Sequence, residues 1–158
     1  MTNKLFKFSI DPPTTLNTGK SLLLALDKLK GAMFRIEKMW VQVDPLDAMI
    51  AKDGIVIQLS TMSQNEVAVG ALLNLDSEYE IFTYSWMLHL AEATNPGFDD
   101  PAVGIEVKGI EGTLLECNKK NYITSQVAGQ AGATAITYIK ILGQYVSADV
   151  DDWNYNVF

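Results

Sequence analysis

The most constraining feature of this sequence is a run of large apolar side chains at every second position near its middle. Between Tyr79 and Leu90, one side of the chain carries Phe82, Tyr84, Trp86, Leu88 and Leu90. Such alternation is typical of a β-strand that buries one face, because successive side chains of a strand point to opposite sides. The other side mixes apolar and polar groups, which fits a sandwich strand whose outer face also meets a neighbour.

An apolar run precedes the first long strand. Ser21 is a residue type that caps helix N-termini, leucines recur over the following positions, and Gly31 stands where a helix C-cap would be. We therefore expect one short helix near residues 21–30.

The segment from Met33 to Val43 is predicted to be a long strand that stops at Asp44-Pro45. Its apolar side chains change parity near Lys38. This change predicts either a β-bulge or a strand that is covered on both faces.

Turn signals at short spacing divide the remaining chain into short strands, about eight or nine in total. Among them, Asn118 to Asn121 is predicted to be the tip of a hairpin. The pattern favours an all-β fold, an antiparallel β-sandwich, and most specifically a single jelly roll of about eight strands. Immunoglobulin-like and lectin-like sandwiches share this strand rhythm and stay open as alternatives. At 158 residues, one domain over 1–158 is expected.

The composition argues against nucleophilic and zinc chemistry. Cys117 is the only cysteine and His89 is the only histidine, so neither an intramolecular disulfide nor a thiolate or histidine metal set can form. Cys117 is predicted to be a small buried hydrophobe. No nucleophile–base pair and no facing carboxylates can be assigned, so the chain is not expected to be an enzyme.

Charge and hydropathy limit the partners. The net charge is −7, and one arginine and eleven lysines are scattered along the chain. Strong phosphate binding needs clustered cations, so no strong nucleic-acid-binding surface is expected. No apolar run reaches the roughly 18 residues that cross a bilayer, and we expect synthesis in the cytoplasm. Whether the protein touches a membrane surface stays open.

Two acidic clusters are the candidate metal ligands. They contain Asp99, Asp100, Asp149, Asp151 and Asp152. Calcium accepts several oxygen ligands in irregular geometry, so these acids would suit calcium at a subunit contact. The alternative is that they are solvated loop acids. No other cofactor is expected.

Aromatic residues give the candidate contact surfaces. Trp153, Tyr155 and Phe158 alternate with asparagines near residue 158, and they would pack either on their own domain or on a neighbouring subunit. Trp40 and Trp86 are predicted to be core residues, with sugar stacking as the alternative role.

The order of features from Leu22 to Pro45 is an apolar run, then Phe34-Arg35-Ile36, a strand and a proline. It resembles a passage in single jelly-roll capsid proteins of small icosahedral viruses, and the segment AITYIKILGQYVSAD resembles their final strand. The resemblance implies a viral structural protein, a capsid subunit that self-assembles with copies of itself and, in some shells, a second coat protein. It implies a virion location after synthesis in the host cytoplasm.

The chain departs from this family in one respect. Members that condense single-stranded genomes usually carry an arginine-rich N-terminal arm, and residues 1–10 contain no arginine. Direct neutralisation of a genome is therefore not expected. The alternative function is a carbohydrate-binding β-sandwich module, lectin-like, which would stack sugars on Trp40, Trp86 or Trp153.

Overall fold

The computed structural model describes residues 3–10, 19–47, 54–63, 72–87, 104–128 and 134–147. These residues form two antiparallel sheets. The strands are β1 (Asn3–Ile10), β2 (Gly19–Leu24), β3 (Ala32–Asp47), β4 (Gly54–Ser60), β5 (Glu80–Met87), β6 (Ile105–Glu106), β7 (Leu114–Glu116), β8 (Asn121–Ala128) and β9 (Thr134–Ser147). One sheet has the order β1-β9-β3-β6, with β7 also paired to β3, and the other has the order β2-β8-β4-β5.

The connectivity is that of a jelly roll. Strand β4 pairs with β5, β3 with β6 and β7, β2 with β8, and β1 with β9. If β6 and β7 count as one interrupted strand, the chain is a long hairpin of eight strands that has been rolled into two layers. The predicted antiparallel sandwich is confirmed.

The core lies between the two sheets and is almost entirely aliphatic. From the five-stranded sheet it receives Phe34, Ile36, Met39, Val41, Ile139 and Ile141, and from the four-stranded sheet Ile55, Ile57, Leu59 and Ile123. One buried polar contact crosses it, because the hydroxyl groups of Ser125 and Thr137 lie 2.8 Å apart. Hydrogen bonding offsets the cost of burying these two groups.

The parity change in β3 is a β-bulge, the first of the two predicted alternatives. The register with β9 shifts between Ile36 and Lys38, so Glu37 is the extra residue. Phe34 and Ile36 before the bulge and Met39, Val41 and Val43 after it are all buried. A single inserted residue thus keeps even-numbered and then odd-numbered side chains on the same inner face.

A glycine in β9 accommodates the aromatic cluster beside this bulge. Gly143 is the β9 partner of Ile36, and a methyl group there would overlap the Phe34 ring and the Arg35 carbonyl. The Phe34 ring packs edge-on against Phe6 at 5.5 Å and Tyr145 at 5.3 Å between centroids. Only glycine leaves the space that this packing requires.

The predicted helix near residues 21–30 is wrong. Its first part is strand β2, which pairs with β8, and Leu24 is buried whereas Leu23 is 51% exposed. Period-two burial and backbone pairing to β8 override the helix propensity of the leucines. Gly31 does mark a turn, with φ of 71°, but the turn leads into β3 and caps no helix.

Two boundary predictions are also wrong. Residues Asn118 to Asn121 do not join a hairpin, because β7 pairs with β3 and β8 belongs to the other sheet. Strand β3 does not stop at Pro45 but continues to Asp47 beside another register shift, a place where proline is tolerated.

Candidate assembly surface

The outer faces of the two sheets differ, and the candidate surface lies on the five-stranded sheet. The register aligns Lys7 of β1 with Lys140 of β9, Lys140 with Trp40 of β3, and Trp40 with Glu106 of β6. Directly opposite residues point to the same side of a sheet. Since Phe8, Val41 and Ile139 point inward, this row points to the outside.

Tyr138 and Gln42 form the next row on the same side. Tyr138 is 40% exposed, and Trp40 is partly buried. We call the set Lys7, Trp40, Gln42, Tyr138 and Lys140 the Trp40 face. These residues line a groove of about 390 Å³, and Leu5, 48% exposed, extends its apolar area toward the next row.

The electrostatics of the Trp40 face are unbalanced. The Lys140 ammonium lies 5.1 Å from the Trp40 ring centroid, a cation–π geometry. In the part of the chain that the structure describes, no carboxylate lies within 4 Å of Lys7 or Lys140. The acid at the end of the row, Glu106, is instead placed between Lys38 at 3.9 Å and Lys108 at 3.8 Å.

The outer face of the four-stranded sheet carries a hydrogen-bonded row. The register aligns Ser21, Thr124, Gln58 and Thr83 across the four strands, and we call them the covered row. The hydroxyl groups of Ser21 and Thr124 lie 2.6 Å apart, and the Gln58 amide donates to Thr83 at 2.9 Å. Leu73 lies over this face and exchanges two 2.9 Å hydrogen bonds with the Gln58 amide.

A third polar cluster holds the connection between β2 and β3 against the five-stranded sheet. The Lys4 ammonium donates to Asp27 at 2.7 Å, and the Asp27 backbone N–H donates to the Tyr145 hydroxyl at 2.8 Å. The hydrogen bond from Lys4 holds the pKa of the Asp27 carboxyl below its ordinary value, and the same bond raises the pKa of Lys4. The cluster of Lys4, Asp27 and Tyr145 holds the connection in place, and it does not resemble a catalytic set.

The structure does not describe the site residues that the sequence analysis predicts. The acids Asp99, Asp100, Asp149, Asp151 and Asp152 and the aromatics Trp153, Tyr155 and Phe158 all lie outside the described residues, as does His89. Within the described ranges no three histidine, cysteine or acidic side chains converge as metal ligands. No helix of the described residues is long and apolar enough to cross a membrane.

Two single-residue predictions can be compared with the structure. Cys117 is buried, as predicted, and burial raises the pKa of its thiol. The prediction that Trp40 belongs to the core is wrong, because the bulge at Glu37 turns the even-numbered positions of β3 outward. The burial of Met39, Val41 and Val43 on the opposite parity was the signal that could have placed Trp40 outside.

Sequence reasoning also missed the lysine pair. Lys7 and Lys140 are far apart in the chain and appeared scattered, and only the β1–β9 register makes them neighbours.

No protein family and no curated protein matches the sequence. Solved structures do match in fold. A VP1 chain of Trichodysplasia spinulosa-associated polyomavirus, solved with 3'-sialyllactose, is 8% identical and superimposes with a TM-score of 0.51 over 93% of this chain and 96% of that one. Tomato aspermy virus gives 0.48 at 10% identity over 94% and 80% of the two chains. Merkel cell polyomavirus VP1 gives 0.46 at 8% identity over 90% and 94%. The chain has the jelly-roll fold of viral capsid proteins, which the sequence resemblance had indicated.

Proposed function

We propose that this chain is a non-enzymatic structural subunit of a viral capsid that assembles with copies of itself. The observation that carries the proposal is the rolled-hairpin fold, which superimposes on a polyomavirus VP1 chain over nearly the whole of both chains. On this proposal the protein acts in the virion, after synthesis in the host cytoplasm.

The Trp40 face supports the proposal. Subunit contacts are enriched in aromatic residues and need accessible apolar surface. Trp40, Tyr138 and Leu5 give the five-stranded sheet such a surface, and they do not serve its core. A shell subunit must bury a face of this kind against another copy.

We further assign Trp153, Tyr155 and Phe158 to contacts between subunits. We assign Asp99, Asp100, Asp149, Asp151 and Asp152 to the same contacts, where calcium or basic side chains of another copy would neutralise their carboxylates. If calcium does so, addition of EDTA (ethylenediaminetetraacetic acid) weakens association and calcium restores it. Association that EDTA leaves unchanged assigns the acids to basic side chains.

Light scattering and electron microscopy on the purified chain test the function. We expect particles or closed oligomers over some range of pH, salt and calcium, with a concentration dependence that a Trp40→Ala variant shifts upward. Monomer alone under every condition, at concentrations up to the solubility limit, would contradict self-assembly.

The partly exposed Trp40 ring and the Tyr138 ring also favour one alternative, a carbohydrate-binding module. Sugars stack their apolar faces on such rings, and the groove of about 390 Å³ would hold one or two sugar rings. Reproducible glycan-array hits that disappear in Trp40→Ala and persist in Leu23→Ala, an exposed apolar change on the other sheet, would favour this alternative.

A further inference from the structure

The Lys7–Lys140 pair is unexplained by the fold. Like charges directly opposite each other in an antiparallel pair are destabilising, and both ammonium groups lack a carboxylate among the described residues. The sheet gains nothing from this pairing. An anionic group placed between the two lysines would remove the repulsion and gain two charge-assisted hydrogen bonds.

The rings beside the lysines restrict the partner further. Trp40 adjoins Lys140 in the same row, and Tyr138 lies one row away on β9. The groove along these residues is open to solvent and partly apolar. A matching partner therefore carries acidic groups and large aromatic groups in close succession.

Outside the strands of the two sheets, this chain contains a segment of that composition. Residues 148–158 read ADVDDWNYNVF, in which three aspartates precede Trp153, Tyr155 and Phe158. In an extended segment, Asp149, Asp151, Trp153 and Tyr155 would share one side, because alternate residues do. The Trp40 face carries two lysines, too few for tight phosphate binding of a long polyanion such as nucleic acid, whereas two aspartates of a short segment match them in number.

Chain length favours a segment from another copy. Lys140 is about 23 Å along β9 from Ser147, at about 3.3 Å per residue. The backbone of residues 149–152 can extend at most about 18 Å from Ser147. A chain's own aspartates therefore reach the lysines only with a fully extended backbone and fully extended side chains, which leaves no length for the reversal of direction after Ser147.

We propose that the Trp40 face of one copy binds residues 148–158 of a second copy, with the aspartates on Lys7 and Lys140 and the aromatic rings on Trp40 and Tyr138. This inference rests on the proposed function, because it names the contact through which copies of the chain associate.

A charge-swap mixing experiment on the full chain tests the inference. One variant carries Lys7→Glu and Lys140→Glu, and the other carries Asp149→Lys and Asp151→Lys. We expect each variant alone to need about tenfold or more higher concentration to associate than the unaltered chain. Mixing the two should restore association, because each then supplies the charge that the other lacks.

Matched controls separate contact from folding. Lys28→Glu with Lys30→Glu makes the same charge change at exposed positions of the β2–β3 connection and should leave association within about twofold of the unaltered chain. Circular dichroism and thermal unfolding confirm that each variant is folded. Unchanged association of both swap variants, or a mixture that remains dissociated, would overturn the inference.

A labelled peptide of residues 148–158 distinguishes this inference from the function itself. If the unaltered chain stays monomeric, the proposed function fails, yet saturable peptide binding that the Lys7→Glu, Lys140→Glu variant loses would still support the docking. Absence of saturable binding would overturn it. Displacement of the peptide by a lower concentration of a single-stranded oligonucleotide would assign the Trp40 face to nucleic acid instead.

Discussion

The outer faces of the two sheets deal with polar groups in opposite ways. On the four-stranded sheet, the covered row satisfies its hydroxyl and amide groups within the chain, and Leu73 lies over Gln58, which is 2% exposed. On the five-stranded sheet, the Trp40 face leaves two lysines and two rings at the surface. The chain thus covers Gln58 itself on one outer face and leaves the Trp40 ring and two lysines accessible on the other, as the proposed assembly requires.

If packing on the inner face is what stabilises the five-stranded sheet, a change that disturbs this packing should cost the most stability. Gly143→Ala is such a change and has the largest expected effect. The added methyl group overlaps Phe34 and the Arg35 carbonyl, so we expect the free energy of unfolding to fall by about 3 kcal/mol or more. Denaturant unfolding followed by tryptophan fluorescence measures it.

Gly31→Ala is the control for Gly143→Ala. At Gly31 a methyl group meets nothing within 4 Å, but φ is +71°, so backbone strain alone should cost about 1 kcal/mol. Equal losses in the two variants would show that the inner face is not packed as described.

Gln58→Ala and Gln42→Ala compare the two outer faces directly. Gln58 makes three hydrogen bonds under cover, so its loss should cost about 2 kcal/mol because Leu73 keeps buried groups without partners. Gln42 is exposed, so water can replace the contact that it makes, and its replacement should change stability by less than about 0.5 kcal/mol. Thermal unfolding of the two variants measures both losses of stability. A larger loss in Gln42→Ala than in Gln58→Ala would contradict the described difference between the two outer faces.

Trp40→Ala is expected to weaken association much more than it lowers stability. The ring contributes a cation–π contact with Lys140 and partial burial, so we expect a loss of about 1 kcal/mol in unfolding free energy. Association measured by sedimentation velocity should weaken much more. Trp40→Phe, which keeps a ring, should recover most of the association, and a Trp40→Ala variant that associates normally would exclude this face.

The smallest effect is expected at Asp27. Its pKa is lowered in the folded chain, so its contribution is complete above the ordinary value of 3.8 and disappears as pH falls through the folded pKa. Asp27→Asn should therefore be slightly less stable than the unaltered chain at neutral pH and equal to it in strong acid. Unfolding midpoints measured from pH 7 to pH 2 test the sign, and a difference that grows on acidification would contradict it.

Local patterns in the sequence predicted more of the fold than of the candidate surface. The parity change near Lys38 predicted either a bulge or a strand covered on both faces, and the register with β9 shows the bulge, at Glu37. The leucines at 22 and 24 left a similar record, but helix propensity and the glycine at 31 outweighed it. A strand of six residues, GKSLLL, is too short for its period to be distinguished from a helical one.

The candidate surface could not be predicted from local patterns. Lys7 and Lys140 become neighbours only through the β1–β9 register, which no local window contains. Trp40 was assigned to the core because large aromatic residues usually are buried, although its parity relative to Met39 and Val41 placed it outside. Sites built across strands depend on register, and register is a property of the whole sheet.

The pairing of β1 with β9 has a consequence for the timing of synthesis. Asn3 is aligned with Gln144, so β1 has no sheet partner until β9 has been translated. Long-range pairing of this kind also makes folding slow. Lys7 and Lys140 become neighbours only through this pairing, so the Trp40 face is complete only once β9 is in place.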